Sequence, residues 1–153
     1  MTIGIYTEKL KTLAAGVSDQ DFIEGCDIAV ERENPFCGDR VTLTANFSNH
    51  SISEMAQSIR GCLLCRAAAA TLVNGIEGLT AEALAEVLFD LEKMLKDGED
   101  RFSASNNPWH ELSIFLAVSE HRARHGCVLL PFKTMSDLFA KVHGGAEPGV
   151  AVE

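Results

Sequence analysis

No stretch of this sequence is long and apolar enough to span a bilayer, so no membrane partner is expected. The segment from Met1 to Leu10 carries Glu8 and Lys9 and lacks the continuous apolar centre of an export signal, so none is expected. Basic residues are scarce: 13 Lys and Arg stand against 22 Asp and Glu, a formal net charge of −9. A nucleic-acid partner would want a basic stripe, and this balance argues against that class. It suits docking to a basic patch on another protein instead. There is no internal repeat and no low-complexity block.

What is present is ordinary globular material. The 153 residues are 46% hydrophobic and 23% charged, enough to bury one proper core. Residues 1–143 are expected to form a single domain and residues 144–153 a flexible tail. Five cysteines, an odd number, occur without an export signal, which points to the cytoplasm. In that reducing setting cysteines bind metal or react more often than they cross-link. The sequons at Asn46 and Asn49 are then chance matches.

Periodicity divides the chain. Ile3 to Ala15 reads as a short amphipathic helix with Gly16 as its stop. Cys26 to Arg32 is closer to strand than to helix. Arg40 to Phe47 alternates cleanly, with Val41, Leu43, Ala45 and Phe47 on one side, and is a half-buried strand. Ser48 to Ser51 forms a turn, and Ile52 to Ile59 a third strand. Three strands without intervening helices imply an antiparallel meander.

The period then changes. Cys62 to Asn74, rich in Ala and Leu, reads as a helix buried on most sides and ended by Gly75. Thr80 caps a helix whose stripe is Leu84, Val87, Leu88, Leu91, Met94 and Leu95, with Gly98 as its end. Asp97 to Ser105 is expected to be a mobile loop. Asn107-Pro108 starts a helix buried through Leu112, Phe115 and Leu116. The last helix carries Leu130, Met135, Leu138, Phe139 and Val142; propensity starts it at Pro131, though a start just after Cys127 also fits. The fold class is α+β: a small three-stranded antiparallel sheet packed against about five helices.

Three cysteines fall at element ends. Cys37 lies in the turn Asn34-Pro35-Phe36-Cys37-Gly38-Asp39, Cys62 opens the buried helix, and Cys127 precedes the last one. Pro35 disfavours a helix through the turn, and Gly38 lets the backbone bend sharply. Cys62, at a helix start, would feel the positive end of the helix dipole, which favours thiolate. Three thiolates and the Asp39 carboxylate satisfy a tetrahedral zinc site or part of the coordination of an iron–sulfur cluster. From the residues alone, a metal site and four unrelated side chains remain even readings, because no two Cys-x-x-Cys motifs lie on matching knuckles.

Asn34-Pro35-Phe36-Cys37-Gly38-Asp39-Arg40 resembles the Asn-Pro-x-Cys-Gly-Asp signature of the IscU, SufU and NifU N-terminal family of iron–sulfur assembly proteins. Gly61-Cys62 and the stretch Arg124-His125-Gly126-Cys127-Val128-Leu129-Leu130 are similar to its second and third motifs, and the likeness spans roughly Tyr6 to Val142. The resemblance implies a SufE/NifU-like fold. It implies a rim site of Cys37, Asp39, Cys62 and Cys127 that holds a transient [2Fe–2S] cluster or zinc. It also implies that Cys37 accepts persulfide sulfur from a cysteine desulfurase. Acceptor apoproteins or other assembly factors would then be further partners, and a homodimer around a cluster is compatible with it.

The chain is most similar to SufU-type members. IscU-type members have a shorter segment between the second and third cysteines and a His where Gly126 stands, and their chaperone-binding Leu-Pro-Pro-Val-Lys motif is absent here. Two forms of the function follow: a scaffold without turnover of its own, or a zinc-dependent sulfurtransferase. Cys65, one turn beyond Cys62, is open to reading as a substitute ligand, a resolving thiol or a small buried residue. His125 is open to reading as a ligand, a proton donor or a surface histidine. Cys26 lies outside every motif and is read as structural, and Trp109 as core or helix staple.

Overall fold

The computed structural model describes residues 7–17, 23–36, 38–48, 51–104 and 106–143. Cys37, residues 1–6, Asn49, His50 and the tail at 144–153 lie outside them. Along the described chain, α1 spans Glu8–Ala15, β1 Ile28–Glu33, β2 Arg40–Ser48 and β3 Ser51–Arg60. Next come α2 at Leu63–Asn74 and α3 at Ala81–Asp97. Two 3₁₀ helices, His110–Val118 and Arg122–Arg124, then lead into α4 at His125–His143.

The sheet is an antiparallel meander in the order β1-β2-β3. Val41, Leu43 and Ala45 alternate onto one face and are fully buried there, beside Val30 of β1 and Ile59 of β3. That face packs against α4 and α2. Thr44 points the other way yet is also buried, because its hydroxyl accepts the Ile23 N–H at 3.1 Å. The register slips after Asn46, where Ser53 of β3 is the extra residue and its hydroxyl donates to the Asn46 carbonyl at 3.1 Å.

The helical layer follows from small residues. α2 buries Ala67, Ala68, Ala69 and Ala70 in succession, so α1 and α4 approach it on different sides without steric bulk. The stripe expected on α3 is buried at Leu84, Val87, Leu91, Met94 and Leu95. Thr80 accepts the Ala83 N–H at 3.2 Å, and Gly98 ends the helix at φ 76°. Arg32 of β1 donates through one nitrogen to both carboxylate oxygens of Asp137 on α4, each at 3.0 Å, and pins the last helix across the sheet.

Three expectations differ from what is found. The loop after α3 is anchored: Phe102 is buried in the core, its N–H donates to Asp100, and Arg101 pairs with Asp90 at 3.2 Å. The segment after Asn107-Pro108 is 3₁₀ rather than α, because the Asn107 side chain takes the Trp109 N–H at 2.8 Å in a tight local turn. Finally, α4 begins at His125, so Pro131 lies inside it. The 3₁₀ turn at Arg122–Arg124 runs straight into α4 and nucleates it upstream of the proline.

Candidate metal centre

The motif loop is built on one side chain. Asn34 is buried; its backbone N–H donates to the Asp39 carbonyl and its carbonyl accepts the Gly38 N–H, both at 2.8 Å. Its side-chain oxygen accepts the Phe36 N–H at 3.1 Å. Gly38 takes φ 77°, which an L side chain rarely adopts, and lets the chain reverse before β2. The loop therefore delivers Asp39 to the end of the sheet in a fixed position.

Two glycines bring the other elements in. A Cβ at Gly61 would stand 3.1 Å from Asp39 Cγ and 3.0 Å from Cys65 Cβ, so the bare backbone lets the carboxylate approach the start of α2. A Cβ at Gly126 would stand 2.7 Å from Asn34 Nδ2, so α4 docks its first turn directly on the motif loop. Sequence reasoning missed the positioning role of Asn34. It also read Gly126 only as the place of a missing histidine. An asparagine directly before a turn proline was the available signal.

Asp39, Cys62 and Cys127 meet as a result. One oxygen of Asp39 and the two Sγ atoms all lie within 4.8 Å of one another. Tetrahedral zinc with Zn–S bonds of about 2.3 Å sets donor separations of roughly 3.8 Å, so a modest contraction around one cation closes the set. Asp39 and Cys127 are buried and Cys62 half-buried. Asp39 Oδ2 is enclosed without a hydrogen-bond partner, a costly state for a carboxylate oxygen and one that a bound cation relieves. Two sulfurs and this oxygen suit zinc or iron.

Cys62 is the N-cap of α2. Its thiol is pulled from the ordinary 9.0 down to about 7, first by the hydrogen bond from the Cys127 thiol, then by the N–H groups of Cys65 and Leu64. Burial and the Asp39 charge oppose that shift. The helix N–H groups act here as a diffuse positive pole, since no geometric cap hydrogen bond to the Cys62 side chain forms.

The remaining candidates fall outside this cluster. Cys65 is wholly buried, packed against Gly61 within the core, which matches the small-residue reading. His125 Nε2 lies 3.1 Å from the Val118 carbonyl and 3.0 Å from that of Ser119, and as their donor it closes the 3₁₀ helix. Cys26 is half-buried before β1, away from the centre. Trp109 packs edge-on against Phe132 with ring centroids 6.0 Å apart. A Cβ at Gly75 would come within 2.4 Å of its indole, so that glycine serves packing as well as the helix end.

A small α+β domain with two thiols and a carboxylate converging at a sheet end has the outline of a candidate metal-binding domain. The family model of the NifU-like N terminal domain matches residues 12–128, and the chain belongs to that family. The zinc-dependent sulfurtransferase SufU of Bacillus subtilis (strain 168) is 26% identical over 121 residues, covering 77% of this chain and 78% of that protein. The iron–sulfur cluster assembly scaffold protein IscU of Streptococcus pyogenes serotype M1 is 24% identical over 109 residues, covering 71% and 67%. The NifU-like protein of Brucella abortus has the same fold, with a TM-score of 0.84 at 21% identity over 94% of this chain and 98% of that one. The SufU of Fervidobacterium islandicum superposes with a TM-score of 0.78 at 25% identity, over 91% and 99%.

Proposed function

We propose that this chain serves iron–sulfur cluster assembly, holding metal at Cys37, Asp39, Cys62 and Cys127 and taking sulfur onto Cys37 from a cysteine desulfurase. The observation that carries the reading is the convergence of Asp39, Cys62 and Cys127, with Asp39 Oδ2 enclosed and without a hydrogen-bond partner. In the sequence Cys37 stands between Phe36 and Gly38, whose backbone N–H groups both donate to Asn34. In the transfer, the Cys37 thiolate attacks the outer sulfur of the donor's persulfide. The donor's S–S bond breaks, its cysteine leaves as thiolate, and Cys37 carries the new persulfide. The exchange involves no net oxidation.

Two occupants of the centre define two forms of this function. As a scaffold, the chain gathers iron and sulfide into a [2Fe–2S] cargo and passes it on to an acceptor protein, and the oxygen donor Asp39 favours that release over a fourth thiolate. As a zinc-dependent sulfurtransferase, it keeps a resident ion. Bound zinc would hold the cysteines as thiolates without redox chemistry of its own. Likeness to the zinc-dependent sulfurtransferase SufU of Bacillus subtilis supports the second form.

Metal and sulfide analysis of chain purified without oxygen, with an absorption spectrum, separates the two. Zinc without visible bands supports the sulfurtransferase, and iron with acid-labile sulfide the scaffold. With desulfurase and cysteine supplied, Cys37→Ser abolishes persulfide labelling; labelling retained in that variant removes Cys37 from the assigned role.

A further inference from the structure

The donor set of the metal centre leaves out a thiol that stands one helical turn away. Cys62-Leu63-Leu64-Cys65 is a Cys-x-x-Cys sequence on the first turn of α2, with Cys62 at the N-cap and Cys65 three residues on. Inside a helix, side chains at that spacing stand about 5–6 Å apart at Cβ, wider than the roughly 3.5–4.5 Å of a disulfide. Cys62 escapes that limit because it precedes the helix, with an extended backbone at φ −73° and ψ 174°. An N-cap residue in this conformation turns its side chain back over the first turn, toward the residue three further along. That residue is Cys65.

Cys65 points to meet it. A Cβ built on Gly61 would stand 3.1 Å from Cys65 Sγ, so that sulfur lies against the backbone leading into Cys62. Exposure orders the two thiols, since Cys62 is half-buried and Cys65 wholly buried. A small oxidant in solution therefore meets Cys62 first, and Cys65 reacts only with what Cys62 presents. Cys127 is the competing neighbour, its sulfur within 4.8 Å of that of Cys62. It stands on α4, however, where Gly126 holds the first turn against Asn34. A bond of about 2 Å to Cys127 draws two packed helices together, whereas Cys65 lies on the same turn as Cys62.

We propose that Cys62 and Cys65 are a redox pair, which hydrogen peroxide closes into a disulfide that withdraws Cys62 from the metal centre. The Cys62 thiolate attacks one peroxide oxygen, the O–O bond breaks, and Cys62 becomes a sulfenic acid as the first water leaves. The Cys65 thiol then attacks that sulfur. The S–O bond breaks, the S–S bond forms, and the second water leaves with the Cys65 proton. Two thiols give up two electrons, and one peroxide becomes two waters. Thiol exchange with a reductant reverses the closure. Bound metal covers Cys62 and blocks the first attack, while the disulfide leaves Asp39 and Cys127 without their third partner. The bond itself rests on the first turn of α2 alone. Its effect on metal rests on the reading of Cys62 as a ligand.

The test treats the full metal-free chain with one equivalent of hydrogen peroxide and maps its thiols after tryptic digestion. Cleavage after Arg60 and Arg66 releases peptide 61–66 with both cysteines, while Cys37 and Cys127 fall in 33–40 and 125–133. The expected product is peptide 61–66 lighter by two hydrogens and restored by a phosphine reductant. Prior loading with zinc should slow its formation about tenfold or more, and the oxidised chain should bind zinc only after reduction. Cys65→Ala and Cys65→Ser should leave Cys62 as a sulfenic acid, captured by a diketone, and then as a sulfinic acid that the phosphine does not restore. Cys127→Ser should still form the bond. Peptide 61–66 joined to 33–40 or 125–133 overturns the proposal, as does equal sulfinic acid at Cys62 in wild type and Cys65→Ala. A Cys62–Cys65 bond that leaves zinc affinity unchanged rejects Cys62 as a ligand, and the withdrawal from the centre with it. Metal held through Cys62 in a chain that forms no such bond rejects the redox pair alone.

Discussion

Alanine at Gly126 should destabilise this protein, against the usual effect of the substitution. In a helix, Gly→Ala normally gains up to about 1 kcal/mol. Here the new Cβ would lie 2.7 Å from Asn34 Nδ2, well inside contact distance. Asn34 cannot yield freely, because its oxygen holds the Phe36 N–H and its backbone is tied to Asp39 and Gly38. Overpacking costs about 1–3 kcal/mol, and a broken loop hydrogen bond roughly 1 kcal/mol more. The net expectation is a loss of about 1–3 kcal/mol. With a urea slope of about 2 kcal/mol/M, the midpoint of the metal-free protein falls by roughly 0.5–1.5 M. In an Asn34→Ala background the same substitution should be neutral or stabilising, so the double-mutant cycle isolates this contact. A Gly126→Ala protein more stable than wild type, or an equal penalty in both backgrounds, would refute the argument that α4 docks on the Asn34 amide.

Three further outcomes follow from the same geometry. Gly75→Ala should cost about 1–3 kcal/mol and perturb Trp109 fluorescence, because the added Cβ would enter the indole ring; an unchanged spectrum and midpoint would contradict that packing. Alkylation of Cys62 in the metal-free protein should have its pH midpoint near 7, and Cys127→Ala should move it back toward 9.0, since the Cys127 hydrogen bond is the largest cause of the shift. The folded state favours this thiolate, so its contribution to stability is present above the unfolded value of 9.0 and is lost as pH falls through about 7; a midpoint near 9 in the intact chain would dismiss the pairing. Asp39→Ala should leave the metal-free urea midpoint equal or higher, because it removes an enclosed oxygen without a partner, while the stabilisation gained from added zinc shrinks; the reverse pattern would make the carboxylate a structural group.

Local rules were legible where a single element decides them. The α3 stripe, its Thr80 cap and its Gly98 end follow from period and capping alone, and β2 follows from its alternation. Pro131 misled because proline favours a first turn, whereas the preceding 3₁₀ turn had already started α4. The polar loop after α3 concealed one buried residue, Phe102, which composition averages away. At the site, residue types and order pointed to Asp39, Cys62 and Cys127, but their convergence depends on contacts far apart in sequence. Gly61 against Asp39 and Gly126 against Asn34 are such contacts, and no local pattern announces which neighbour a glycine makes room for.

The central claim is that side chains from the motif loop, α2 and α4 grip one ion, and cobalt(II) titration of the metal-free protein tests it most directly. The account predicts one equivalent bound with tetrahedral bands and a thiolate-to-cobalt charge-transfer band that loses intensity in both Cys62→Ser and Cys127→Ser. A Cys127→Ser protein that keeps the full band and the full affinity would contradict it, leaving that sulfur as part of the core.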